Sequence, residues 1–315
     1  MAERRRQALD PDTEAAVSAL VAMLQTREGR RKLLVLGIVA LLAYGAWLLY
    51  QRYGRPHAMP GPTVRLATWN LHEFSPRPQI DLRRIAQIIQ DNHFDLLAIQ
   101  EVRGTGEEVD NLLNALGYPW KAASYSPTTG NHERFAFLYN AEHIEELGPA
   151  EPVPSPGAAI FARTPYEDTF RAGNFSFTLV TVHLEWTKKG LRQEEAQTLA
   201  MLLPDLESRA AQHHLIVLGD FNEERAHGDL HYLEDAGFQR LIHVPTNLSS
   251  TEDFDNVLID PRTTAEFTGQ SGVVAFDQIY HYSRHEAVEA VSDHRPAWAD
   301  FSTDQPVQPA PAGIK

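Results

Sequence analysis

No cysteine occurs among the 315 residues. Disulfides, thiolate zinc sites and cysteine nucleophiles are thereby excluded. Basic residues are scarce as well: 28 Lys and Arg stand against 42 Asp and Glu, a formal net charge of -14. The shortage is uneven. Residues 1–55 hold nine basic and five acidic side chains, so the rest of the chain carries 19 basic and 37 acidic ones, a net -18. Such a body does not gather polyanions by bulk charge. A phosphate-bearing substrate would have to be held locally, with a cation supplying the missing positive charge. No internal repeat divides the chain.

Long uncharged runs are also rare, with one exception. Residues 33–50 read LLVLGIVALLAYGAWLLY, eighteen positions without a charge. As a helix rising ~1.5 Å per residue, this run nearly matches a ~30 Å hydrocarbon layer. Tyr44, Trp47 and Tyr50 lie toward its far end, where aromatic belts form. A buried globular helix would normally keep a polar face. A cleaved signal would start closer to the N-terminus and end in small residues, whereas here QRYGRP follows. The expectation is one uncleaved transmembrane helix. Arg27, Arg30, Arg31 and Lys32 precede it and Arg52 and Arg55 follow, which points the N-terminus to the cytoplasm and the C-terminal body to the extracytoplasmic side. Residues 1–32 then form a polar tail and 51–63, rich in Pro and Gly, a linker. Residues 303–315, Pro-rich, form a tail expected to be disordered.

Between them, residues 64–302 alternate β-type runs with helical spacing. VRLATWNL, FDLLAIQEV, RFAFLYN, FSFTLVTVHLEW, HLIVLGDFN, DNVLID and RPAWADF read as strands. IDLRRIAQIIQDN, VDNLLNALG, EEAQTLAMLLPDLESRA and LHYLEDAGF read as helices. The pattern implies an α/β sandwich with helices packed outside the sheets. Chemically capable residues recur where apolar strands end: Asn70, Glu101, His183, Asp220 and Asn222. Strand ends are where sheet scaffolds gather their sites, and a carboxylate or imidazole at a core rim has a tunable pKa. Each alone also reads as a turn, a cap or a rim residue. Together they make separate bland explanations harder to sustain.

The segments TWNL, IQEV, VTVHLEW, VLGDFNEE and VSDHRPAWADF resemble, in order, the motifs of the endonuclease/exonuclease/phosphatase superfamily, specifically its DNase I-like branch. The resemblance covers 64–302. It implies a four-layer α/β sandwich, two mixed β-sheets flanked by helices, here preceded by the transmembrane helix. It further implies hydrolysis of a phosphate ester by direct water attack with Mg²⁺, or else Mn²⁺ or Ca²⁺. Carried over residue by residue, His183 and His294 match the histidines flanking the scissile phosphate. Asp220 and Asn222 match the pair that aligns water and steadies phosphoryl oxygens. Glu101 matches the metal-binding glutamate, a hard oxygen ligand. Asn70 matches the asparagine of the metal–phosphate site, and Asp293 a further metal or phosphate contact. Arg103 matches an arginine that contacts DNA.

Two carboxylates should support the histidines by fixing their tautomers. Glu133 matches the first. For the second, Asp255 and Asp277 compete; Asp255 opens the better strand. The family's tyrosine two residues before Glu133 is Asn131 here, which puts a substrate contact there in doubt. His72 is open between a loop residue and an extra metal ligand. Three functions follow as expectations: a membrane-anchored nuclease, a lipid-headgroup phosphodiesterase or phosphatase, or a non-catalytic binding module on the same fold. No segment identifies a protein partner.

Overall fold

The computed structural model describes residues 62–304 apart from 155–159, 211–213 and 225–227, together with residues 26–28, 31 and 35. The expected tail 1–32, span 33–50 and linker 51–63 therefore lie outside the described residues, save those five and residues 62 and 63, and so does the tail beyond 304. Among the described residues, no helix is long and apolar enough to cross a membrane. The chain divides into two units, Met1–Gln51 and Arg52–Lys315. The second carries the fold and the site.

Strand β1 (Thr63–Phe74) is followed by helix α1 (Leu82–Asp91), β2 (Leu96–Arg103), α2 (Glu107–Leu116), β3 (Trp120–Ala122) and β4 (Glu133–Asn140). Asp81 starts α1 by accepting from the N–H groups of Arg83 and Arg84, and Ile85, Ile88 and Ile89 then bury one stripe. The short strands β5 (Glu145–Glu146) and β6 (Glu151–Pro152) precede the hairpin of β7 (Tyr166–Ala172) and β8 (Phe175–His183). Helix α3 (Lys189–Arg209), β9 (His214–Asp220), α4 (His231–Asp235), β10 (Gln239–Arg240) and β11 (Asp255–Ile259) come next. Strand β12 (Phe267–Val273), helices α5 (Phe276–Ile279) and α6 (Arg284–Ala290), and β13 (Ala297–Ser302) complete the chain.

One sheet has the order β12-β13-β1-β2-β4-β3; the other runs β10-β11-β9-β8-β7-β5, with β6 also on β7. Both are mixed: β1 with β2 and β8 with β9 are parallel, and their other neighbours are antiparallel. Period-2 alternation assigns each strand residue to a face. Leu66 of β1, Ala98 of β2, Phe137 of β4, Leu179 of β8, Leu218 of β9 and Val257 of β11 share one core between the sheets. The alternate residues face outward. Trp69 and Leu97 pack with Ile85 and Ile88 of α1 and Leu112 of α2. Val182 and Val217 pack with Leu199 and Leu203 of α3. The layers are helix, sheet, sheet, helix, and each such buried side chain contributes about 1.5–3 kcal/mol.

Strands β7 and β12 carry charges or glycines where sequence patterns look for apolar residues, and neither is legible as a strand. Phe276-Asp277-Gln278-Ile279, which alternates like a strand, is the single turn α5.

Candidate active site

Following each inward-facing row toward one edge of the sandwich takes it from apolar to polar. On β1 the row reads Leu66, Thr68, Asn70; on β8, Leu179, Thr181, His183; on β9, Ile216, Leu218, Asp220. Antiparallel β4 and β11 reach the same edge at their starts, through Phe137, Phe135, Glu133 and through Ile259, Val257, Asp255. His183 sits beside Asp220 across β8 and β9, and Asp255 beside Asp220 across β11 and β9. Beneath them, the buried Gln100 side chain donates to the hydroxyls of Thr68 (3.0 Å) and Thr181 (2.9 Å), joining the two sheets. Nothing in IQEV marks Gln100 as a structural residue, because its partners lie on other strands.

The alternation alone would turn Glu101 outward, because Gln100 faces in. A register shift between Ile99 and Val102 and a left-handed φ of 61° at Glu101 re-aim it. Its Oε1 accepts from Asn70 Nδ2 at 2.9 Å and its Oε2 from the Glu73 N–H at 2.7 Å. The same Asn70 amide donates to Asp220 Oδ2 at 2.9 Å. Gly219, at φ 142°, lets β9 pass close to β8, since a Cβ there would stand 2.1 Å from the Val182 carbonyl oxygen. Asn222, at φ 49°, donates its N–H to Asp220 Oδ1 and its amide to the Leu184 carbonyl. His72, Glu73, Asn131 and His132 also have left-handed backbones, so strain is concentrated around this edge.

Two imidazole–carboxylate pairs face each other. His183 Nδ1 meets Glu133 Oε2 at 2.8 Å, and His294 Nδ1 meets Asp255 Oδ2 at 2.8 Å. Their Nε2 atoms point toward Asp220 Oδ2, at 3.6 and 3.8 Å. Asp277 instead binds Arg295 through both oxygens, which settles the competition for His294 in favour of Asp255. Asp293 Oδ1 lies 3.3 Å from His72 Nδ1 and 4.0 Å from His294 Nε2, with no hydrogen-bond donor among the described residues. Arg103 is turned inward: it donates to the Asn131 carbonyl and lies 3.3 Å from Glu133 and 3.9 Å from Glu101. Reaching a substrate would require it to exchange those contacts. Asn131 also donates to Glu133, at 2.9 Å.

The residue that sequence reasoning missed is Arg163. Its buried guanidinium donates to Glu133 Oε2 at 2.7 Å from a loop segment, ARTP, that carries no motif. Burial would raise the Glu133 pKa, but His183 and Arg163 outweigh it and hold the carboxyl down at about 2. Burial likewise opposes ionisation of Glu101, yet His183, the Asn70 amide and the Glu73 N–H lower it. His294 goes the other way. Burial disfavours its charge, but Asp255, Asp220 and Asp293 raise its pKa well above the ordinary value. Asp255 is fully buried, and its Oδ1 has no donor among the described residues.

Glu133 and Asp255 are committed to their histidines. Among the described residues two clusters could hold a divalent cation, Glu101 with Glu133 and His183, and Asp220 with Asp255 and His294, which leaves Glu101 and Asp220 as the carboxylates not committed to an imidazole. Each bonded oxygen keeps a second lone pair for a metal. An oxygen-rich, anionic donor set of this kind fits a hard cation.

No curated protein sequence matches the chain. Solved structures do. An endonuclease/exonuclease/phosphatase from Bacteroides vulgatus superimposes with a TM-score of 0.59 at 16% identity, covering 76% of this chain and 99% of that one. Humanized TDP2 of D. rerio gives 0.57 at 16% identity, covering 76% and 99%. The mannosyl-6-phosphatase of Bacteroides thetaiotaomicron gives 0.54 at 16% identity, covering 75% and 98%. These likenesses establish the shared fold. The family model described as Endonuclease/Exonuclease/phosphatase matches residues 67–300, the two sheets from β1 to β13. The chain belongs to the endonuclease/exonuclease/phosphatase family, whose enzymes are metal-dependent phosphoric ester hydrolases.

Proposed function

We propose that the chain is a membrane-tethered phosphodiesterase that cleaves nucleic acid by direct attack of water. One observation carries the reading: two carboxylate-supported imidazoles present their Nε2 atoms to one carboxylate oxygen, Asp220 Oδ2, at 3.6 and 3.8 Å. Two such groups converging on one point are what acid–base catalysis of a displacement at phosphorus can use. One imidazole takes a proton from the attacking water and the other gives one to, or hydrogen-bonds, the leaving oxygen. Glu133 and Asp255 hold the two rings in the required tautomers. Asn70 and Asn222 position phosphoryl oxygens without adding negative charge. A divalent cation, Mg²⁺ in this reading, would be held by Glu101 with Asp220 and Asp293 and would neutralise charge developing on the phosphoryl oxygens. Mn²⁺ or Ca²⁺ could take the same donors.

The tether is the apolar run 33–50, with the catalytic unit extracytoplasmic, as the flanking positive charges favour. A second reading, hydrolysis of a lipid headgroup, is favoured by that run and by the net -18 of the remaining chain. A magnesium-dependent plasmid nicking assay on the detergent-solubilised full chain separates them, with His183→Ala as control. Nicking that is lost in the variant supports the nuclease. Absence of nicking, with phosphate ester hydrolysis on lipid vesicles, supports the second reading and rejects the first.

A further inference from the structure

Immediately beyond His183 the chain is pinned at every step. The Leu184 N–H donates to the Asp220 carbonyl, and the Leu184 carbonyl accepts from Asn222 at 2.9 Å and Arg163 at 3.5 Å. The Glu185 N–H donates to Glu195 Oε2 at 2.6 Å. Glu195 is 0% exposed and uses its other oxygen to hold the Ala162 N–H, so one buried carboxylate braces two loops beside the site. The Trp186 carbonyl then accepts from Arg192, itself 1% exposed. Buried polar side chains are thus committed to fixing three consecutive backbone units whose own side chains point away from the core after Leu184.

At the end of this held segment stands Trp186, 62% exposed, whereas Trp69 and Trp298 are fully buried. It lies three residues from a histidine of the active site, a span of at most about 10 Å. Lys188 and Lys189 follow it, both exposed. The whole chain has only five lysines, so an adjacent pair here puts local positive charge beside the site of an otherwise acidic body. A rigid aromatic face and two ammonium groups together match a base and the phosphates that flank it. Base–aromatic stacking tolerates any sequence because every base has a π-face.

We propose that Trp186 is a specificity-determining residue that stacks a nucleobase adjacent to the scissile phosphate, with Lys188 and Lys189 on neighbouring phosphates. The substrate class is therefore single-stranded nucleic acid or a frayed end, because a base within a duplex has no free face to offer. The inference rests on the nuclease reading above and narrows it.

The test uses the full chain in detergent with Mg²⁺ and two oligonucleotides of equal length, one normal and one whose backbone carries abasic tetrahydrofuran units throughout. The readout is the ratio of kcat/KM on the normal strand to that on the abasic strand. The ratio falls about tenfold in Trp186→Ala, mainly through KM, and is largely restored in Trp186→Phe. Lys188→Ala/Lys189→Ala lowers the salt dependence of KM by a slope of about one to two. Thermal melts confirm folding of each variant. If Trp186→Ala leaves the ratio at the wild-type value while the wild type cleaves DNA, the stacking role is wrong and the nuclease reading stands. A loss confined to lipid-vesicle hydrolysis assigns Trp186 to a membrane surface and likewise overturns the proposal. If the wild type cleaves neither strand yet hydrolyses bis-p-nitrophenyl phosphate, both fall together.

Discussion

Glu133 serves two partners at once. It orients the His183 ring and neutralises Arg163, and both contacts are buried. Glu133→Gln removes the charge while keeping the shape, leaving Arg163 buried beside a neutral amide. Breaking a buried pair in this way costs about 3–5 kcal/mol, so the urea midpoint should fall together with kcat. The pH dependence has a defined sign. The folded-state pKa of Glu133 lies at about 2, below its ordinary 4.5. The stability it contributes is complete above the ordinary value and is lost as pH falls through 4.5 toward 2. Urea unfolding across that range should show a steeper loss in the wild type than in Glu133→Gln. At this scale much of the site is legible in the sequence. Asn70, His183 and Asp220 end apolar runs, and alternation alone puts them on the inner face. Glu101 is not legible that way, because a bulge reverses its direction. Nor is Arg163, whose role depends on a loop that returns to β4 from 30 residues downstream.

Strand β9 depends on Gly219. Its φ of 142° and the 2.1 Å that would separate an added Cβ from the Val182 carbonyl leave no room for a side chain. Gly219→Ala should therefore lower stability by about 1–3 kcal/mol and, by pushing β9 from β8, separate Asp220 from His183. Chemical denaturation and a plasmid assay on the same sample would register both effects. Strand β7 holds a different liability. Asp168 is buried, its Oδ2 has no donor among the described residues, and burial with the nearby Glu146 pushes its pKa up to about 8. An acid whose folded pKa is raised favours the native state below its ordinary value, 3.8. That advantage is lost as pH rises toward 8. Melting temperatures of Asp168→Asn should exceed the wild type at pH 8, and the difference should shrink by pH 4. A variant no more stable at pH 8 than at pH 4, relative to wild type, would show that Asp168 is ionised without penalty. The charges that make YEDTFRA awkward as a strand are also why β7 escapes notice in the sequence. Its pairing with β8, residue by residue from Tyr166 to Ala172, and with β5 and β6 on its other edge makes it one. Strands β1, β8 and β9 are legible because burial on both faces makes them nearly continuous apolar runs.

For the whole molecule, the proposed reading joins charge to a tether. A body of net -18 has no long-range attraction for nucleic acid, so on the proposed reading binding would come from a cation and from local groups. A membrane span at 33–50 would place the catalytic unit on one surface. Expressed in bacteria, the full chain should pellet with membranes, resist extraction by high salt or alkaline carbonate, and be released by detergent. Recovery in the soluble fraction would rule out the tether without touching the catalytic reading. The central claim is that Glu101, poised beside Asn70 and Asp220, holds the divalent cation on which two supported histidines depend. Its most direct test is hydrolysis of a phosphodiester by the full chain with Mg²⁺, with EDTA, and in Glu101→Gln. The account predicts that chelation abolishes turnover and that Glu101→Gln lowers kcat by a factor of about 100 to 1000, with the fold intact by circular dichroism. Turnover that survives both chelation and the substitution would contradict it.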